Sequence, residues 1–157
     1  ILSMLAIGMI IGSPLLSYFS NTVVRSRKIA VMISSVIVLC LVFPLAFFTS
    51  GIPLVGHYII CLGLGMFSSA IVVIGFTTNK ELFPVQMAGT ATGMINLFPF
   101  SGGAVFQPIL GYVLEKQGRI AGAFTLEGYQ QAFLVLFACG VIALIASFFF
   151  KETLERN

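Results

Sequence analysis

Side chains able to do acid–base, nucleophilic or ligating chemistry are sparse in this chain, and their surroundings exclude most of what such groups do. His57 is the one histidine. It is the only side chain near an apolar run that titrates around neutral pH, which makes it the candidate proton-coupling residue. Its place beside Tyr58, at the edge of its run, also suits an interfacial imidazole with no function. Cys40, Cys61 and Cys139 each lie inside an apolar run, are odd in number and match no metal-ligand spacing. They read as buried free thiols, so neither a disulfide framework, a metal site nor a cofactor is expected. The run "PFSGG" (99–103) has Pro99 where an intramembrane serine protease needs Gly before its nucleophile setting, and "GLGMFS" (63–68) has Ser68 where a dinucleotide loop needs its third Gly. No enzymatic chemistry is expected. The apolar runs hold no carboxylate, the group that commonly carries protons across membranes.

One stretch does carry unusual chemistry. "GTATGMINLFPFSGGAVFQPILG" (89–111) is about one bilayer long and contains two prolines, five glycines, an Asn and a Gln among apolar residues. At about 100° per residue, Gly89, Gly93, Asn96, Phe100, Gly103, Gln107 and Gly111 fall within about 40° of one line along a helix. Glycines on that stripe let another backbone approach, and amides there would be unsatisfied in lipid, so the face should meet protein or water. Pro99 and Pro108, with Gly102 and Gly103 between them, predict local bending or unwinding, a gating hinge. Asn96 and Gln107, with Ser101 behind them, are the pathway candidates on this helix. On the preceding one they are Ser68 and Ser69, because His57, Cys61, Gly65, Ser68, Val72, Gly75 and Asn79 share a mostly small or polar face. Gly8 and Gly12, four residues apart, mark a third close contact; Gly65, Gly89 and Gly93 complete the helix-packing set.

The elements that must position these groups follow from composition. Of 157 residues 59% are apolar and 8% charged, with mean hydropathy +1.10. A soluble domain carries roughly 25% charge, so the solvent must be lipid. Five runs, about 1–20, 29–49, 54–79, 87–114 and 129–150, are long enough to cross ~30 Å of hydrocarbon as helices. They lack the alternation of barrel strands, so an all-α polytopic transmembrane bundle is expected. All thirteen charged residues fall in the breaks or the tail. Arg25, Arg27, Lys28, Lys80, Lys151 and Arg156 gather on one side against Lys116 and Arg119 on the other, which predicts a cytoplasmic carboxyl end and an outside amino end. The net charge of +3 is too scattered to track phosphates, so nucleic acid is not an expected partner. Ile1 already lies in an apolar run with no basic segment before it, so no signal peptide is expected and the chain reads as the end of something longer.

Three stretches in order resemble the carboxyl half of a major facilitator superfamily transporter. "GSPLLSYFSNTVVRSRK" (12–28) is similar to the family's loop between its eighth and ninth helices, "NKELFPVQMAGTATGMIN" (79–96) to its tenth-to-eleventh connection, and "QPILGYVLEKQG" (107–118) to the end of the eleventh. "YQQAF" (129–133) and "KETLE" (151–155) resemble the start and end of the twelfth. The resemblance implies that residues 1–157 are the last five helices of a twelve-helix protein whose amino-terminal half is a required partner. It also implies that the loop at 12–28 acts as a charge latch. Ser17, Asn21 and Thr22 depart from the family's Gly, Asp and Arg, so Arg25, Arg27 and Lys28 must find a latch partner elsewhere, with Asn21 limited to hydrogen bonds.

Periodicity alone ranks the third and fourth helices as inward-facing and the second and fifth as peripheral. The expected function is secondary active transport of a small polar organic solute by alternating access, with proton coupling at His57 as one option, in the cell (inner) membrane. The alternative is a structural bundle in which the stripes only hold helices together and nothing is transported.

Overall fold

The computed structural model describes residues 2–120 and 122–153. The chain is all-helical apart from one small hairpin: α1 (Leu2–Tyr18), α2 (Arg27–Phe47), α3 (Leu54–Leu82), α4 (Ala88–Lys116), β1 (Arg119–Ile120), β2 (Ala123–Phe124) and α5 (Leu126–Ser147). All five helices are long and apolar enough to cross a membrane. Each expected span corresponds to one of them, with ends displaced by a few residues for local reasons. A π-helical turn, Phe19–Val23, prolongs α1. Arg25 then adopts φ 49°, a left-handed conformation that costs an L-residue roughly 1–2 kcal/mol and here turns the chain sharply into α2. Ser26, extended at φ −158°, caps α2 by accepting a hydrogen bond from the Ile29 amide. α3 runs on through Asn79, Lys80 and Glu81 until Pro84 forces the residue before it, Phe83, into extended backbone. Thr125 caps α5 by accepting from the Gly128 amide.

Within the break between the fourth and fifth spans, an antiparallel hairpin pairs Arg119 with Phe124 and Ile120 with Ala123. Gly118 and Gly122 supply its positive φ values of 79° and 82°, and the Arg119 guanidinium lies 4.5 Å over the Phe124 ring.

α1 packs along α3, α2 lies between α3 and α5, and α4 leans on α3 and α5. Contact between α1 and α3 is the closest in the chain. A Cβ at Gly8 would overlap the Leu62 carbonyl oxygen, one at Gly12 the Met66 carbonyl, and one at Gly65 the Leu5 carbonyl. Such backbone approach is open only to glycine. The core joins Leu16, Ala30, Val31, Ala70 and Ile74, with Phe19, Phe67 and Phe150 against it. Phe43 and Phe47 of α2 meet Phe137 of α5 edge to face, at 5.9 and 5.6 Å between ring centres, and lock the other half of α2.

One ranking is corrected here, and two features of α4 stand beside it. α2 is not peripheral: it has seven buried residues and neighbours on two sides, because its Ala and Ser positions let α3 and α5 approach. α4 is the outlying helix, with Ala91 its single buried residue. Gly89 and Gly93 accordingly pack against nothing among the described residues; the space a Cβ would enter there is open. Lastly, α4 runs unbroken through Pro99 and Pro108. Each proline removes one amide donor, toward the carbonyls of Ile95 and Ala104 respectively. The hydrogen bonds on either side still hold the helical path, so no unwound segment forms.

Candidate functional site

Two regions concentrate polar groups: a partly buried ionic cluster where α2, α3 and the segment after α5 converge, and the uncovered face of α4.

The cluster is built on Arg27, the first residue of α2, which is only 5% exposed. Its Nη2 donates to Glu81 Oε1 of α3 at 2.9 Å, and its Nη1 to Ser20 Oγ of the π turn at 3.4 Å. Glu152, beyond α5, lies over the amino terminus of α2. Its carboxylate accepts from the Arg27 amide at 2.9 Å, the Lys28 amide at 3.3 Å and the Ser26 hydroxyl. These amides are among the orphan donors of any helix start, and a carboxylate there satisfies them while meeting the positive end of the helix dipole. Thr153 Oγ1 donates to the second oxygen of Glu81 at 2.6 Å, and Lys28 Nζ donates to the Phe148 carbonyl at 2.6 Å. Three segments distant in sequence are thus tied at one end of the bundle, with both acids shared between elements. The satisfaction is incomplete, since Arg27 Nε, Thr78 Oγ1 and Asn79 Nδ2 are buried without a hydrogen-bond partner among the described residues. A cluster that leaves donors unmet is held less firmly than a closed one.

Of the four latch candidates, Arg27 makes the ion pair and Lys28 a helix-end hydrogen bond. Asn21 is exposed and reaches only Ser17 Oγ, one turn back, at 3.5 Å. Arg25 is exposed and makes no ion pair among the described residues. The partner expected from elsewhere is therefore Glu81 together with Glu152. Neither was singled out from sequence, nor were Ser20, Ser26 and Thr153. A signal was present: with five acids in the chain, those just past the third and fifth apolar runs lie in segments that alternation puts at the same end as Arg27.

The pathway candidates separate into two groups. Ser68 bonds to the Leu64 carbonyl and Ser69, fully buried, to the Met66 carbonyl at 2.7 Å, both within α3. On α4, Asn96, Ser101 and Gln107 are exposed, and none makes a hydrogen bond to another described residue. No hydrogen bond brings the two groups together. Gly102 and Gly103, like Gly89 and Gly93, have open space beside them apart from the Gln107 side chain near Gly103. His57 Nδ1 lies 3.2 Å from the Pro53 carbonyl in the first turn of α3, a local contact with no carboxylate in it. Cys40, Cys61 and Cys139 are free thiols but not buried ones as expected, since Cys40 is exposed and Cys61 and Cys139 are half-buried; no cluster of potential metal ligands occurs among the described residues.

Against known protein families, curated proteins and solved structures, the chain finds no match.

Proposed function

We propose that the chain is the carboxyl-terminal, five-helix part of a major-facilitator-type secondary transporter that moves a small polar organic solute by alternating access. The observation that carries this reading is the uncovered face of α4. Gly89, Gly93, Asn96 and Gln107 lie on a helix apolar enough to span a membrane, yet no other described helix covers them. Amides left against hydrocarbon without partners cost roughly 2–7 kcal/mol each, so that face calls for a second helical half or a watery passage. In this reading Asn96 and Gln107 contact solute, and the amino-terminal half of the transporter faces them. The Arg27–Glu81–Glu152 cluster acts as the latch that closes one end of the passage and opens as the halves rock. The carboxyl end is cytoplasmic, in the cell (inner) membrane. His57, with its purely local bond, is a weak candidate for the proton site.

A second reading, a non-transporting assembly bundle, is favoured by the serine hydroxyls of α3 being turned to their own helix and by the glycine-tight seam between α1 and α3. Cysteine accessibility separates the two. With Cys40, Cys61 and Cys139 replaced by Ala, Asn96→Cys and Gln107→Cys in the protein's own cell membrane should react with a charged thiol reagent, since thiolate forms only where water reaches. Phe98→Cys, on another face of α4, should not. If Asn96→Cys and Gln107→Cys are as inert as Phe98→Cys, the transport reading fails. Alone, the chain should not catalyse flux; saturable solute uptake by liposomes holding only this chain would contradict the need for a second half.

A further inference from the structure

A half-open cavity of about 430 Å³ lies between α1, the π turn, α2 and α3, well away from the α4 face. Its walls are apolar, formed chiefly by Leu15, Phe19, Val23, Ile33, Ile37 and Phe67. Three observations specify what such a groove takes. First, it lies in the half of the bundle nearest the charged end: its α2 wall, Ile33 to Ile37, starts six residues (~9 Å of helix) after Arg27 and ends ten residues (~15 Å) after it, within one leaflet of a ~30 Å hydrocarbon core. Second, the π turn makes the groove's outer rim, where Val23 and Tyr18 are 62% and 61% exposed. Third, Arg25 follows Val23 by two residues, is exposed, and makes no ion pair among the described residues. Its left-handed φ of 49° puts it at the sharp turn between the π turn and α2.

We propose that this groove holds an acyl chain of an anionic phospholipid from the leaflet at the charged end of the bundle, with the headgroup phosphate on Arg25. An apolar groove within one leaflet's reach of the charged end, lined by Val23 two residues before an arginine with no ion pair among the described residues, matches a lipid with a negative head. Arg25 thereby has a role separate from that of Arg27, whose guanidinium is buried in the ionic cluster. The bound lipid fills the gap that the π turn opens between α1 and α2, next to the core residue Leu16. This inference rests on the five helices being membrane spans, as in the proposed function, but not on transport.

The chain has no tryptophan, so a single introduced one reports its own lipid neighbours. Ile33→Trp puts the probe in the groove; Ile142→Trp puts it at an exposed position on α5, 66% accessible, as a reference. Each variant is reconstituted as the full chain into vesicles containing brominated phosphatidylglycerol or brominated phosphatidylcholine with identical chains. Fluorescence quenching by the two lipids is then compared. At Ile33→Trp, phosphatidylglycerol should compete about fivefold better, the ratio given by the ~1 kcal/mol typical of one basic residue at an anionic surface. The preference should vanish when Arg25→Gln is added and be absent at Ile142→Trp. Equal quenching by both lipids at Ile33→Trp, a preference that survives Arg25→Gln, or the same preference at Ile142→Trp each overturns the proposal. Quenching by neither lipid at either position overturns the membrane reading itself, and the proposal with it.

Discussion

Replacing Glu81 with glutamine tests whether the ionic cluster is a strong tie or a decoration. The change keeps shape and one acceptor oxygen but removes the charge facing Arg27, whose side chain is 6% exposed. Arg27 would then retain the 3.4 Å contact to Ser20, and its Nε has no partner to begin with. Removing one member of a fully buried pair costs ~3–5 kcal/mol, mostly because the other charge is left desolvated. Glu81 keeps 31% of its side chain accessible, so part of the pair is screened and the expected loss falls to about 2 kcal/mol. Unfolding of the reconstituted chain by denaturing detergent, followed through its helical circular dichroism, measures this directly. The same physics fixes the sign of a companion experiment. Arg27→Met combined with Glu81→Leu removes both desolvation costs and should recover most of the stability lost by Glu81→Gln alone. A Glu81→Gln protein within about 0.5 kcal/mol of wild type, the scatter of an ordinary surface change, would refute the reasoning. So would a double variant less stable than the single one.

Glycines that look alike in sequence should behave oppositely. Gly65→Ala drives a methyl into the Leu5 carbonyl and should cost the ~1–3 kcal/mol of overpacking, whereas Gly93→Ala meets open space and should be neutral or gain up to ~1 kcal/mol of helix propensity, as read by the same unfolding assay. Because α4 is already helical through both prolines, Pro99→Ala with Pro108→Ala should leave the helical circular dichroism unchanged; a gain worth a helical turn or more would show that α4 is interrupted in the native protein.

How much was legible from sequence can be seen in α3 and α4. The same pattern of small and amide residues at helical spacing runs through Gly65, Ser68 and Asn79 on one and Gly93, Asn96 and Gln107 on the other. Pattern marked both faces as unusual for lipid. It could not say that Gly65 has a backbone against it while Gly93 has nothing, because the partner of Gly65 is the Leu5 carbonyl, sixty residues away in sequence. Arg27 shows the same limit. Its motif marked it as important and its lack of a local acid was plain, yet Glu81 and Glu152 became its partners only through the meeting of three distant segments. Prolines misled in the other direction, since a lost amide donor predicts a weak point but not whether the surrounding turns hold.

Composition and the lengths of apolar runs were enough to establish an all-helical chain, its five segments and roughly where each begins and stops. Those properties depend on residues near one another along the chain and on the cost of leaving a backbone amide in hydrocarbon. Folding in three dimensions decided that α2 lies between α3 and α5 while α4 stays on the outside, that α1 and α3 meet through Gly8, Gly12 and Gly65, and that two glutamates converge on the start of α2. Such outcomes turn on which faces can approach to van der Waals distance, and no local pattern of side chains contains that distance.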